Sequence, residues 1–294
     1  MSRAHGERFN SGRWCFVIPA SAPEFASNAR EELVENVVAA LEGRRGAPFR
    51  RSRHATTWKV RIARLTGESA SVVFVKQIDA ACGFVSRLKA KSRAKRSEHV
   101  LRISEDLRRH NFGVPSVPLI GENRDTGDEV VVMSEASGFM LTRWMNPSHH
   151  IEVTLRRRIL RQLGAEIARL HLTGYIHGDL TPYNIFATDD HEIAITFIDH
   201  EGTEKTSRVS INVARNRMRN LVQLGHFDTP GVSRTDKFRV FASYAATAGF
   251  SKRASRQSLR RLTKMIDRRR KRDRASKHAA SQPAIIAEEG AARG

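Results

Sequence analysis

A chain of 294 residues with 40% hydrophobic residues is long enough for one large domain or two smaller lobes, each with a buried core. Two cysteines, Cys15 and Cys82, exclude a disulfide framework and a cysteine-built zinc site and point to a reducing, cytoplasmic compartment. A net charge of +20 demands an anionic partner, whether nucleic acid, lipid headgroups or an anionic substrate, and thirteen Lys or Arg against Asp267 and Asp273 place +11 of it between Lys252 and Lys277.

Residues 1–48 read as an N-terminal extension. The apolar stretch from Trp14 to Ile18 is stopped by Pro19, too short for a signal-peptide core, and nothing approaches the roughly 18 apolar residues that span a bilayer. Leu33, Val37, Val38 and Leu41 recur at helical spacing and predict a helix near Ala29–Leu41, ended by Gly43, Gly46 and Pro48. Trp58, Val60 and Ile62 then alternate with polar residues, a turn falls at Thr66 and Gly67, and Val72 to Val75 lead into Lys76, which predicts a hairpin whose second strand carries a lysine. A charged helix is predicted from about Lys89 to His110, with Val100, Ile103 and Leu107 on one face and Glu98 and Glu105 along it; Gly113 and Pro115 stop it. A strand from Glu129 to Met133 and a polar link at 134–138 precede a helix from Thr154 to Leu172, with Leu155, Ile159, Leu163, Ile167 and Leu170 on one side. The pattern predicts an α+β, two-lobed fold: a β-rich lobe at 49–133, a hinge at 134–138, a helical lobe at 139–274 and a disordered tail at 275–294, rich in Ala, Ser and Gly.

Phosphoryl transfer asks a protein to position phosphates, neutralise their charge and orient the attacking hydroxyl. Each part stands here in kinase order. In HGDLTPYN, Asp179 would accept or orient the proton of the acceptor hydroxyl, and Asn184, five residues on, would offer an amide oxygen to magnesium. Asp199 follows an apolar strand fifteen residues later, where an aspartate reaches the nucleotide phosphates through metal; oxygen donors suit that hard cation. VVFVKQI resembles the strand lysine of kinases and places Lys76 on the ATP phosphates, with Glu98 as its ion partner and Glu105 as the fallback. Glu135 and Ala136 in the hinge are assigned to nucleotide binding. Singly, each residue has a plainer reading: a turn aspartate, a solvated lysine, a surface pair. The joint order and spacing carry the assignment. His177 reads as structural, Asp189 and Asp190 as turn residues, and His149 and His150 lack further ligands for a metal.

The sequence resembles the lipopolysaccharide kinase (Kdo/WaaP) family over roughly Arg50–Phe250. The resemblance is most specific in VVFVKQI, in RAKRSEHVLRISEDLRRHNFGVPSVPLIG, in GYIHGDLTPYNIFATDDHEIAITFIDHEGT and in NVARNRMRNLVQLGHF with FRVFASYAATAGF. It implies a protein-kinase-like fold, ATP bound at Lys76 with Glu98, catalysis at Asp179, and Mg2+ at Asn184 and Asp199. The implied acceptor is a Kdo or heptose hydroxyl of lipopolysaccharide inner core, met peripherally at the cytoplasmic face of the inner membrane. Three departures stand out. No GxGxxG precedes Lys76, so Arg53, His54, Ala55 and Thr56 would have to form the phosphate-covering turn. Asp199 is followed by His200 and Glu201, as in the IDxE of aminoglycoside and choline phosphotransferases. Thr181 stands where many protein kinases keep a lysine. HGDLTPYNI also resembles RIO atypical kinases, but about 70 helical residues continue after Asp199. A silent binding module is disfavoured because all four active-centre residues are present. In the basic tail, Leu259, Leu262 and Ile266 line one face of a helix whose other faces carry Arg256, Arg260, Arg261, Lys264 and Arg268, which suits an anionic membrane surface or packing on the kinase core, with nucleic acid ranked behind.

Overall fold

The computed structural model describes residues 6–22, 27–44, 47–52, 54–62, 71–80, 95–148, 151–206, 212–227 and 231–291. The turn at Thr66 and Gly67, the helix start at 89–94, Cys82, Arg53, His149 and His150 lie outside them. The chain divides into two compact units, one of Met1–Ser137 with Thr196–Glu201, the other of Gly138–Ile195 with Gly202–Gly294.

The first unit contains β1 (Gly6–Ser11), β2 (Trp14–Pro19), α1 (Ser27–Leu41), β3 (Arg50–Arg51), β4 (Ala55–Ile62), β5 (Ser71–Ile78), α2 (Arg96–Arg109), β6 (Leu119–Asn123) and β7 (Glu129–Ser134). The strands form one antiparallel sheet in the order β1-β2-β6-β7-β5-β4-β3. Residues 1–48 are therefore no appendage to the sheet: they supply two of its strands and a covering helix. The reason is the alternation of Trp14, Phe16 and Ile18, all buried, through a six-residue strand. Phe16 lies where Gly121 of β6 has no side chain; a Cβ there would stand 2.4 Å from the Phe16 ring. The sheet buries both faces. Leu33, Val37 and Val38 of α1 pack with Trp14, Trp58, Val73, Val75 and Val132, whereas Val100 and Leu101 of α2 pack with Ile78, Ile120 and Val131. Because strand side chains alternate, Lys76, paired with Val131 and two residues from Ile78, belongs to the α2 face.

The second unit contains β8 (Phe139–Met140), α3 (Leu141–Met145), α4 (Val153–Leu172), β9 (Tyr175–Ile176), a 3-10 turn at Pro182–Asn184, β10 (Ile185–Ala187), β11 (Ile195–Phe197, which crosses the unit boundary), β12 (Glu204–Lys205), α5 (Val213–His226), α6 (Arg234–Thr247) and α7 (Lys252–Ala291). Ile159, Leu163, Ile167 and Leu170 are fully buried along α4. Gly164 lets α6 approach, since a Cβ there would meet the Val240 carbonyl at 2.2 Å. Arg156 of α4 reaches Asp236 of α6 at 2.7 Å, and Asp236 also closes a capping box with Ser233. The apolar side of α7 is spent inside the unit: Leu262 is buried, and Ile266 fills the space opposite Gly225 of α5. Arg270 Nε donates to the His226 carbonyl at 2.9 Å, a cation at the carbonyl end of α5. The backbone of α7 continues to Ala291, where a disordered tail from 275 is expected; alanine, glutamate and glutamine there favour helix, against Pro283 and Gly290. Among the described residues no helix is long and apolar enough to cross a membrane.

Candidate active site

In the first unit Lys76 Nζ lies 3.0 Å from Asp199 Oδ1 and 2.5 Å from Glu201 Oε1. Burial would lower the lysine pKa, but the two carboxylates outweigh it and hold it above its ordinary value, so the ammonium stays charged. Asp199 has φ of +66°, the left-handed region that aspartate tolerates better than most residues, and it aims the carboxylate at Lys76. The neighbouring backbone is fixed on both sides. Phe197 N donates to the Gly113 carbonyl at 2.8 Å, and the buried His200 ring bonds the Phe197 carbonyl at 3.0 Å.

Glu98 sits half-buried in the first turn of α2 and makes no ion pair among the described residues; Glu105 accepts a hydrogen bond from Ser21. The partner that sequence reasoning missed is Glu201, whose signal was its position two residues after Asp199. Glu135 is exposed at the end of β7 and pairs with Lys59 at 3.1 Å, with Ala136 half-buried beside it. The turn before β4 is closed by Ser52, whose amide donates to the Ala55 carbonyl at 2.8 Å.

In the second unit the loop between β9 and β10 carries Asp179 and Asn184. Asn184 Nδ2 donates to both the carbonyl and the Oδ2 of Asp179, each at 3.0 Å, so the asparagine fixes the loop and the direction of the carboxylate. Asp179 is exposed and Asn184 buried. Pro182 opens the short 3-10 turn and stiffens the link between them. Gly178 admits no side chain, because a Cβ would stand 2.3 Å from the Gly202 backbone.

Beneath the loop lies a buried network that the sequence did not announce. Asn220, on α5, accepts from His177 N at 3.0 Å, donates to the His177 carbonyl at 2.6 Å and meets His171 Nε2 at 3.2 Å. His171 Nδ1 faces the Tyr244 hydroxyl at 3.0 Å. A polar residue on the buried side of an amphipathic helix was the available signal. His177 Nδ1 accepts from the Asp179 amide at 3.1 Å, so this ring is part of the loop's support. Burial lowers the His171 pKa to about 4 and raises that of Tyr244 to about 12, so His171 is a neutral ring and Tyr244 a protonated donor at pH 7.

The sign of the resulting pH dependence follows. The unfolded chain protonates His171 near its ordinary value of 6.5, the folded chain only near 4, so folding stability falls as pH drops through that window and levels off below it. The loss is about 3 kcal/mol. Urea midpoints at pH 7 and pH 4.5 should show a smaller difference in His171→Gln than in the parent chain; equal differences would remove His171 as a source.

Each unit carries oxygen donors of the kind a hard cation takes. In the second, Asn184 spends its amide nitrogen on Asp179 and its amide oxygen has no donor among the described residues; in the first, Asp199 carries a carboxylate. Among the described residues no group of three or more His, Cys, Asp or Glu could hold a metal.

Residues 89–244, just over half of the chain, match the model of the lipopolysaccharide kinase (Kdo/WaaP) family. The chain belongs to that family. Glu98, Asp179, Asn184, Asp199, Glu201, Asn220 and Tyr244 all fall inside the matched region, and Lys76 precedes it. The α+β architecture is that of the protein-kinase-like superfamily. The Kdo/WaaP chain is also similar to the KEOPS complex subunit Bud32 of Pyrococcus abyssi (strain GE5 / Orsay), 29% identical over 126 residues, 42% of this chain and 55% of that protein. A similar match is the EKC/KEOPS complex subunit BUD32 of Encephalitozoon cuniculi (strain GB-M1), 31% identical over 119 residues, 38% of this chain and 52% of that protein. The chain thus spans about half the length of these curated relatives.

Proposed function

We propose that this chain is an ATP-dependent phosphotransferase and that its acceptor is a Kdo or heptose hydroxyl of lipopolysaccharide inner core. The observation that carries the reading is the Asp179 carboxylate, exposed and oriented by Asn184, in a member of the Kdo/WaaP family. Lys76, charged and held by Asp199 and Glu201, would take the α- and β-phosphates of ATP. Glu135 and Ala136 would meet the rest of the nucleotide. Asn184 Oδ1 and Asp199 would hold Mg2+, which supplies charge neutralisation on the phosphates. Asp179 would receive the hydroxyl, align its oxygen with the γ-phosphorus and take its proton as the new P–O bond forms and the bond to the β,γ-bridging oxygen breaks, with ADP leaving.

Charge and place support this acceptor. The inner core is anionic, the chain carries +20, and the sugar lies at the cytoplasmic face of the inner membrane during assembly. Insertion of the Leu259, Leu262 and Ile266 flank into that membrane is not part of the proposal, because Leu262 and Ile266 pack within the second unit. A second reading, a small-molecule phosphotransferase, is favoured by Glu201: the IDxE arrangement resembles that of aminoglycoside and choline kinases, and this glutamate contacts Lys76.

The experiment compares lipopolysaccharide by mass spectrometry from cells with the gene, without it, and complemented with Asp179→Asn. One core phosphate should disappear on deletion and stay absent with the variant. Transfer of labelled phosphate from ATP, tested in parallel on core acceptors, aminoglycosides, choline and proteins, separates a wrong acceptor from a wrong reaction. No transfer to any of them would sink the phosphotransferase reading itself.

A further inference from the structure

Lys252, Arg256, Arg260, Lys264, Arg268 and Arg272 recur at every fourth position of α7. At a rise of about 1.5 Å and a turn of about 100° per residue they form one row about 30 Å long, with a cation every ~6 Å, that winds about 200° round the helix. All six are exposed, and among the described residues none pairs with a carboxylate. The nearby acids do little to offset the ridge: Asp273 pairs with Arg269 and faces His226, which leaves Asp267 as the one other carboxylate between Lys252 and Arg274. Like charges four residues apart destabilise a helix, and here the penalty recurs five times along one row. A row that is unfavourable within the chain and unmatched by it is suited to an external line of anions.

The apolar side of the same helix narrows the choice. Helices that bind a bilayer surface bury an apolar flank at the headgroup boundary. In α7 that flank is turned inward, with Leu262 buried and Ile266 against Gly225, so the exposed side is polar, with Gln257 and Thr263 among the cations. The row is also regular and turns away from any one plane, which matches a winding line of fixed, evenly spaced anions better than a flat sheet of lipid. No aromatic residue occurs from Lys252 to Arg274, so the helix offers no platform for stacking on bases. From these features we infer that the exposed ridge of α7 binds the phosphate backbone of double-helical nucleic acid, without sequence preference. This surface is separate from the proposed transfer site, and neither depends on the other.

The test is fluorescence anisotropy of the full chain with labelled 20-base-pair DNA and RNA duplexes of mixed sequence over a salt series. With five or so phosphates contacted, the logarithm of the DNA binding constant should fall with the logarithm of salt with a slope of about −4 to −5. The fourfold variant Arg256→Gln, Arg260→Gln, Lys264→Gln and Arg268→Gln should bring that slope to about −1 and weaken binding at 100 mM salt at least about 100-fold. A control carrying Arg8→Gln, Arg13→Gln, Arg50→Gln and Arg108→Gln loses the same charge from exposed positions outside α7 and should bind nearly as the parent does. Circular dichroism and melting curves confirm that both variants fold. Vesicles of phosphatidylcholine with phosphatidylglycerol form the competing arm. Loss of duplex binding in the α7 variant and not in the control supports the inference. It is overturned if neither duplex binds, if the control weakens as much as the α7 variant, or if the vesicles are bound while the duplexes are not.

Discussion

Asp179→Asn should lower turnover by at least about a hundredfold while leaving the fold and nucleotide binding nearly unchanged. The substitution is close to isosteric, and the oxygen that Asn184 Nδ2 reaches at 3.0 Å can be kept, so the loop geometry survives. What is lost is the negative charge that orients the acceptor hydroxyl and takes its proton. The check is a single-turnover rate together with the rise in melting temperature caused by Mg-ATP: the rate should collapse and the thermal shift persist. An unchanged rate would take Asp179 out of the chemistry. Lys76→Ala should behave differently. With the ammonium gone, Asp199 and Glu201 face each other uncompensated, so ATP should bind more weakly and its thermal shift shrink.

Asn220→Ala should destabilise the second unit by about 3–5 kcal/mol, because it strips partners from buried polar groups at His177 N, His177 O and His171 Nε2 together. In a unit of this size that is a fall of roughly 10–15 °C in melting temperature. The same change frees the backbone that leads into Asp179, so turnover should also fall at temperatures where the variant is folded. Gln223→Ala, at the rim of the same network, serves as the comparison: half-buried Gln223 donates from Nε2 to the Gly178 carbonyl at 3.1 Å and accepts from Asn220 Nδ2 at 2.8 Å, and water can replace its bond to Gly178. A loss in Asn220→Ala no larger than in Gln223→Ala would show that the network is not what holds the loop.

What could be read from the sequence follows the range over which each feature is encoded. Alternation of Trp58, Val60 and Ile62 announced β4, and the helical spacing of Leu33, Val37 and Val38 announced α1, because both patterns are complete within a dozen residues. Asp179 and Asn184 were legible for the same reason: five residues separate them, and one tight turn carries both. The ion partner of Lys76 was not. The sequence points to Glu98, with Glu105 behind it, and only the placement of Thr196–Glu201 within the first unit brings Glu201, 125 positions away, to Lys76. Asn220 was missed, although it stands on the buried side of its helix, because its partners His171 and His177 lie on other segments and an asparagine in a helix otherwise reads as a surface residue. β2 was missed because a six-residue apolar run has no period long enough to separate a sheet strand from a stray apolar patch, and β1 because GERFNS is polar and mostly exposed.

The pairing of β2 with β6 also governs how the first unit comes into being. Trp14 pairs opposite Asn123 in the ladder, so more than a hundred residues must be made before β2 meets β6. Contacts of that separation are slow to form, and until they do the apolar Trp14, Phe16 and Ile18 and the open rim of β6 stay exposed to other chains. The sheet should therefore assemble late during synthesis, with α1 and the β4–β5 hairpin formed first. Chains shortened to begin after Pro19 would keep every residue proposed for phosphate transfer, yet present β6 as a bare edge and precipitate in proportion to their concentration.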